Sequence, residues 1–327
     1  MTVMQRLREW MLPIAMASGA SLYLVYHALP QLHCAGPFLE KAVGLVQPLL
    51  IFSMLFLTFC RIEPHELKPH RWHWWLLLVQ GGLFSAIGAG IFFAGKFVPA
   101  GHEEWLVLAE SAMLCLICPT ATAAAVVTRR LGGDVAGITS YTILINILTA
   151  LLVPLVVPLV CPVEGLSFAM SFSMIVAKVF PLLIMPCLCA WILRYLLPYM
   201  HAKLMAYADL PFYIWAVSLC LAIAVTTKSI VRSDMPVSLL LMIALVSLVC
   251  CVFQFSVGHF VGSRYGRRRG RQTRKITAGQ SLGQKNTVFA IWMGYTFMTP
   301  ETAIVGGLYS IWHNIYNSWQ LARKAGD

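Results

Sequence analysis

The chain has 327 residues, of which 59% are hydrophobic and only 11% charged, and its mean hydropathy is +0.76. This composition excludes a soluble globular protein and indicates a membrane protein with several spans, whose solvent is the lipid bilayer. The net charge of +11 could suggest nucleic-acid binding. Basic residues in short loops between spans more often set topology or contact anionic lipids, so we expect lipid and no nucleic acid as a partner.

Ten segments predict transmembrane helices, because each offers the roughly 20 mostly apolar residues that a span requires. The first resembles a signal peptide, but its removal would leave nine spans and disturb the loop charges, so we keep it as a helix. The predicted spans are 10–29, 39–60, 72–97, 104–127, 135–161, 166–196, 205–227, 237–261, 276–297 and 301–321.

The loops between these spans are basic mainly on one side of the bundle. Short cytoplasmic loops collect Lys and Arg, so this pattern predicts a multi-pass membrane protein with both termini on the cytoplasmic side. One side holds Arg6, Arg8, Arg61, Lys68, Arg71, Arg129, Arg130, Arg194, Lys203, the block 264–275, Arg323 and Lys324, and the other only Lys41, Lys96, Lys228 and Arg232.

The spans divide near residue 163 into two halves of five, about 1–163 and 164–327, within one transmembrane domain. Repeats with an odd number of spans must be inverted relative to each other. Inverted repeats are a recurring design of secondary transporters, in which broken helices at matched positions form the site. The fourth and ninth spans should therefore both be interrupted.

Both spans carry such an interruption. Residues 118–122 read Cys-Pro-Thr-Ala-Thr, and Pro119 removes a backbone donor and clashes with the preceding turn. Residues 283–287 read Gly-Gln-Lys-Asn-Thr, whose polar groups compete with helical hydrogen bonds. The alternative is that Pro119 only kinks a packed helix.

Lys285 is the most informative residue of the second interruption. An ammonium in the bilayer is costly, so such groups usually face the protein interior or a water-filled cavity on a transport pathway. The alternatives are that Lys285 reaches toward an interface or pairs with Glu110. Glu110 is itself a second candidate for carrying a proton, or else an interfacial carboxylate.

No metal or cofactor is predicted. Most cysteines lie within spans, and no Cys and His spacing suggests zinc, although a disulfide between Cys34 and Cys161 stays open. The sequence has no motif of a membrane enzyme and no P-loop, so we expect neither enzymatic activity nor an ATPase subunit. A receptor or a permease subunit is a more remote alternative.

Three stretches resemble the bile acid–sodium symporter family. Residues 118–126 and 133–136 are similar to its C-P-G-G-T-A-S-N-V and G-[DN]-V-A, and residues 282–287 to its E-x-G-x-Q-N-[ST]. Residues 309–315, with the triplet Trp-His-Asn, resemble F-S-x-W-H-N-[IL]. The resemblance implies ten spans, crossing fourth and ninth helices, alternating access of a core bundle against a panel, and organic anions as substrates.

The chain departs from the family pattern at the sodium sites. The family's Ser-Asn falls on Ala124 and Ala125, and its Glu falls on Ser281. Its serine in the fifth span falls near Ile145, beside Asn146 and Thr149. Alanine and isoleucine offer no side-chain oxygen, so we predict that the first sodium site is absent.

At the second sodium site, the resemblance places Gln80 on the family's glutamine of the third span and Lys285 on the Gln of Q-N. The ammonium of Lys285 would then replace the sodium ion. A permanently charged lysine would support sodium-independent exchange or facilitated diffusion, whereas one that loses its charge on burial could carry a proton. Both mechanisms stay open.

The sequence therefore predicts a sodium-independent secondary transporter of small organic anions; the alternative is a sodium-coupled symporter with one altered site. The candidate substrate-binding residues are Thr120, Thr122, Asn286, Thr287, His313 and Asn314. The candidate residues of the ion site or substitute cation are Lys285, Gln80, Ser281, Gln284, Asn146 and Thr149.

Overall fold

The structure is a computed structural model that describes residues 3–95, 104–163, 165–207, 209–233, 235–265 and 270–326. Helices account for most of these residues, and no β-strand occurs within the described ranges. An all-α protein is therefore confirmed. Of the basic residues in the charge pattern, Lys96 and residues 267–269 lie outside the described ranges.

Each predicted span of the first half corresponds to helix, and the fourth is divided in two. Gly132 lies in the left-handed region, at φ 82°, and ends the shorter piece of that divided span. The helices are α1 (Val3–Ala28), α2 (Gly36–Cys60), α3 (Arg71–Ala94), α4 (Glu104–Ile117), α5 (Ala124–Leu131) and α6 (Val135–Val160).

In the second half the sixth span is divided at Ile184 and the ninth at residues 284–286, and a short helix lies between the sixth and seventh spans. The helices are α7 (Phe168–Leu183), α8 (Met185–Leu196), α9 (Pro198–Met205), α10 (Leu210–Arg232), α11 (Val237–Arg264), α12 (Arg271–Gly283), α13 (Thr287–Phe297) and α14 (Pro300–Gly326). Short 3-10 helices at Pro30–Ala35 and Pro64–Glu66 complete the described secondary structure.

Six helical segments among the described residues are long and apolar enough to cross a membrane by length and composition, and Thr287–Phe297 is a shorter apolar helix. All ten predicted spans thus contain helix, but within the described ranges only six of them include a segment that is long and apolar enough to cross a membrane. The first, fourth, ninth and tenth do not, and the fourth and ninth are shortened by their breaks. The six are Pro30–Cys60, Arg71–Ala94, Val135–Val160, Phe168–Leu196, Leu210–Arg232 and Val237–Arg264.

The helices pack in two groups that also contact each other, since α6 packs on α7 and α14 packs on α10. In one group α1 packs on α10, and α2 packs on α8 and α10. In the other, α3 packs on α4 and α6, while α11 packs on α4, α12 and α14. Close approach of α11 and α12 depends on Gly258 and Gly262, where a Cβ would lie 2.5 Å from the carbonyl oxygens of Ala278 and Arg274. This second group holds both broken helices.

Candidate functional site at the crossing of two helix breaks

The two predicted breaks lie against each other inside the second helix group. Thr120 and Lys285 form an isolated antiparallel bridge. The amide of Ala121 donates to the Gln284 carbonyl at 3.0 Å, and the amide of Asn286 donates to the Pro119 carbonyl at 2.8 Å. Each extended segment thus satisfies backbone groups that the other helix has lost, and we call this contact between the two breaks the crossing.

The side chain of Thr120 strengthens this crossing. Its hydroxyl donates to the Ser281 carbonyl at 2.7 Å, and both residues are buried. The chain leaves the helix after Ile117 and resumes it only at Ala124. The break at Pro119 is therefore a true interruption, not only a kink.

The break exposes the last carbonyls of α4, which a helix end leaves without intrahelical partners. Gln254 Nε2 donates to the Cys115 carbonyl at 3.3 Å, and Thr149 Oγ1 donates to the Ile117 carbonyl at 3.0 Å. Gln80 Nε2 donates to the carbonyls of Ile117 and Cys118 at 3.3 and 3.0 Å. Side chains from three other helices thus converge on the end of α4.

Lys285 places its amine at this point. Only 2% of its surface is exposed, and Nζ donates to the Leu116 carbonyl at 3.2 Å. The C-terminal end of a helix carries the negative end of its dipole, which favours a positive charge there. We call the carbonyls of residues 115–118 the carbonyl cluster, on which the Lys285 amine lies.

Pairing between Lys285 and Glu110, the alternative considered from the sequence, does not occur in the structure. Glu110 Oε2 accepts a hydrogen bond from Thr302 Oγ1 at 2.8 Å, and Oε1 accepts one from Cys161 Sγ at 3.3 Å. Glu110 is 3% exposed, so it is a buried carboxylate between α4, the end of α6 and the start of α14. Cys34 and Cys161 are both free thiols.

Gln80 is held by a tyrosine from the same half of the chain. Tyr141 OH donates to Gln80 Oε1 at 2.9 Å, which fixes the amide so that its nitrogen faces the carbonyl cluster. Gln80 and Tyr141 are both fully buried. The predicted residue Gln80 is therefore a direct part of the crossing.

A second glutamine and tyrosine were missed by the sequence reasoning. Gln254 Nε2 donates to Tyr309 OH at 3.2 Å, and Tyr309 OH donates to the Gly283 carbonyl at 2.8 Å. Two signals could have found them: Gln254 is an amide within an apolar span, and Tyr309 begins the stretch that contains the Trp-His-Asn triplet.

The remaining residues of the predicted ion site differ in their contacts. Asn146 and Ser281 are buried, and within the described ranges neither the Asn146 amide nor the Ser281 hydroxyl has a hydrogen-bond partner. Gln284 Nε2 donates to Gln280 Oε1 within the same strongly buried stretch. The structure therefore brings Gln80, Thr149 and Gln284 into hydrogen bonds at the crossing.

The predicted substrate residues on α13 lie directly after the second break. Asn286 Oδ1 accepts from the amide of Phe289 at 3.2 Å and caps α13, while Nδ2 has no partner among the described residues. Thr287 begins α13 and is 6% exposed. Thr122 lies half-buried in the segment between α4 and α5.

The two predicted residues on α14 have different surroundings. The His313 ring is buried and meets the Tyr309 ring edge-on, with centroids 5.6 Å apart. Asn314 Nδ2 donates to the Ser310 carbonyl of its own helix at 2.7 Å. His313 is thus connected to the crossing through Tyr309, whereas the recorded bonds of Asn314 stay within α14.

Broken helices that meet within an apolar helical bundle are a recurring design of membrane transporters. Residues 16–325 match the model of the SBF-like CPA transporter family, and the chain belongs to that family. The chain is thus a multi-pass membrane transporter related to bile acid–sodium symporters, not an enzyme. A comparison with curated proteins found no match.

Proposed function

We propose that the protein carries small organic anions across the bacterial inner membrane by alternating access and does not require sodium. The single observation that carries the sodium-independent part is Lys285 Nζ on the carbonyl cluster of α4. There the ammonium supplies the charge that a coupled cation would otherwise bring. The basic loops favour cytoplasmic termini.

Matched contacts in the two halves support an inverted repeat of five spans each. Gln80 and Tyr141 hydrogen-bond to each other beside the end of α4, and Gln254 and Tyr309 do so beside the end of α12. In each half the glutamine lies in the third predicted span and the tyrosine in the fifth. The bridge between Thr120 and Lys285 joins corresponding points of the two breaks.

The losses at the first sodium site support the same proposal. Ala124 and Ile145 are fully buried and present only hydrocarbon. Sodium requires several oxygen ligands to offset its dehydration, and these positions supply none from their side chains. A transporter built in this way keeps the crossing but has a fixed cation in place of a mobile one.

Two coupling schemes are compatible with a fixed cation. If Lys285 stays charged, the carrier exchanges or equilibrates anions; if it releases a proton during the cycle, transport follows the proton gradient. Glu110 is the second group that could carry a proton, although its bonds direct it to Thr302 and Cys161. An imposed pH gradient distinguishes the schemes, because only the second predicts that it drives accumulation.

The proposal is tested by uptake of labelled taurocholate and pantoate into proteoliposomes, with sodium replaced by potassium at fixed pH. We expect saturable uptake of at least one anion at the same rate in both salts. Uptake that strictly requires sodium would overturn the substitute-cation proposal and favour a sodium-coupled symporter. Uptake of neither anion in either salt would count against these two classes of substrate.

A further inference from the structure

A transported anion needs a positive partner inside the membrane, because an unpaired carboxylate in an apolar medium is costly. Lys285 is not available for this purpose. Its Nζ is bonded to the Leu116 carbonyl, and the side chain is almost completely buried. The cation that meets the substrate must therefore be sought elsewhere in the bundle.

Two other lysines lie beside the end of α13. Lys228 is already neutralised, since Nζ lies 2.7 Å from Glu40 Oε1 and also donates to Tyr295 OH at 3.1 Å. Lys178 has no ion pair or hydrogen bond within the described ranges, and its Nζ lies 5.5 Å from the centroid of the Phe297 ring. Lys178 is thus an ammonium with unused donors well inside the apolar segment Phe168–Leu196.

Lys178 lies on α7 at the border between its buried and its exposed residues. Ile175 and Leu182, three residues before it and four after, are buried, whereas Met174, four residues before it, is 50% exposed. Lys178 itself is exposed. Its amine is therefore not covered by the rest of the described chain, while it lies next to Phe297 at the end of α13.

The side chain next to the Lys178 amine is aromatic. Phe297 is half-buried at the end of α13, and its ring meets Trp292 edge-on at 5.5 Å. The ring face stabilises the ammonium in the absence of an anion, and the same ring offers apolar surface next to the charge. This combination suits an organic monoanion with a hydrophobic body.

We propose that Lys178 binds the anionic group of the substrate and that Phe297 packs against the adjoining apolar part. This inference rests on the proposed function, since it assumes that the substrate is an organic anion. The lysine that fixes the crossing and the lysine that recognises the cargo are then different residues. Lys285 acts within the protein, and Lys178 acts on the substrate.

The first test uses the wild-type protein in detergent, so that both faces are accessible. A water-soluble acylating reagent, sulfo-N-hydroxysuccinimide acetate, should modify Lys178, and taurocholate or pantoate should slow this reaction but not that of Lys41. Lys41 is an exposed lysine near the start of α2 and serves as the control. Peptide mass spectrometry follows both. If Lys178 fails to react, or reacts equally with and without an anion that is transported, the proposal is wrong.

The second test compares Lys178→Gln and Lys178→Arg, with Lys41→Gln as control, in proteoliposomes. We expect Lys178→Gln to raise KM for the transported anion by about tenfold, the loss of roughly one charged hydrogen bond, with Vmax less affected. Lys178→Arg should stay close to wild type. In the wild type and in Lys178→Arg, the transported anion should inhibit uptake of its labelled form more strongly than its uncharged amide does. In Lys178→Gln the acid and the amide should inhibit equally.

The outcomes distinguish the proposed role of Lys178 from the proposed transport function. If the wild type takes up the anion and Lys178→Gln shows the same KM and the same preference for the charged form, the proposed role of Lys178 is wrong. The transport function is then left intact. If neither anion is transported and neither protects Lys178, the proposed function fails for these two classes of substrate together with this inference. The labelling test does not depend on whether Lys178→Gln folds.

Discussion

The two helix breaks share a backbone geometry but have opposite chemistry. The first, at residues 118–122, contains a proline and no charge, and leaves the end of α4 as a cluster of carbonyls. The second, at residues 283–287, has no proline but presents the Lys285 amine to that cluster. The two breaks are symmetric in their backbone pairing and asymmetric in their side chains, since only the second carries a basic residue. A cation need therefore come from only one of the two halves.

The largest effect in this comparison is expected from Lys285→Gln. Removing the charge leaves the carbonyl cluster without a cation, so sodium-free uptake should fall by about 100-fold, as expected when one strong electrostatic contact is lost. Sodium should restore part of the uptake, because it can then occupy the vacated position. Uptake is measured in potassium and sodium media, with Lys41→Gln as control. Full sodium-free uptake by Lys285→Gln would show that the lysine is incidental.

The matched glutamines offer the next comparison. Gln80→Leu removes the donor to two carbonyls and the acceptor of Tyr141 OH, so unfolding in detergent should become easier by about 2 to 3 kcal/mol, because buried polar groups are left unpaired. Gln254→Leu removes the donor to the Cys115 carbonyl and the contact with Tyr309 OH. It should cost about 1 to 2 kcal/mol.

Thermal or denaturant unfolding of both variants in the same detergent tests this order. Tyr141→Phe and Tyr309→Phe serve as controls, since each removes one hydroxyl and leaves the glutamines in place. Equal destabilisation by Gln80→Leu and Gln254→Leu would contradict the unequal roles of the two halves.

A smaller effect is expected from Thr120→Val, which keeps the side-chain shape and removes the hydroxyl bonded to the Ser281 carbonyl. The stability should fall by about 1 kcal/mol, the usual contribution of one buried hydrogen bond. Thr122→Val is the matched control, because Thr122 is only half-buried. The same loss in both variants would mean that the Thr120 hydroxyl does not stabilise the crossing.

The smallest effect on uptake is expected from Glu110→Gln. The amide oxygen can still accept a hydrogen bond from Thr302, so the change should raise the barrier to transport by less than about 1 kcal/mol. Uptake should therefore stay within about threefold of wild type. The measurement is uptake with and without an imposed pH gradient. Selective loss of stimulation by the gradient in Glu110→Gln would instead identify Glu110 as the proton carrier.

Proline shows where sequence reasoning succeeded and what it lacked. Pro154 and Pro158 lie inside α6 and Pro48 lies inside α2, and none of them ends its helix. Pro119 does, because the crossing segment offers new hydrogen-bond partners to the freed groups. The break was predictable from its matched position in the two halves, not from the proline alone.

The partners of Lys285 and the residues around it could not be predicted in the same way. The hydropathy pattern contained the unusual lysine, but the Leu116 carbonyl that receives its hydrogen bond has no signature in the sequence. Gln254 and Tyr309 were missed for a related reason. Their importance follows from helices that are distant in the sequence and adjacent in space.

The sequence by itself determined the helical membrane class, the two interruptions and the family, because apolar length, polar residues within spans and local motifs are properties of contiguous residues. Tertiary structure decided what each polar group does. It placed Lys285 on the end of α4, directed Glu110 toward Thr302, and left Lys178 beside Phe297 without an anionic partner among the described residues. Charge compensation in a low dielectric depends on distances of a few ångströms between separate helices, and only the fold sets those distances.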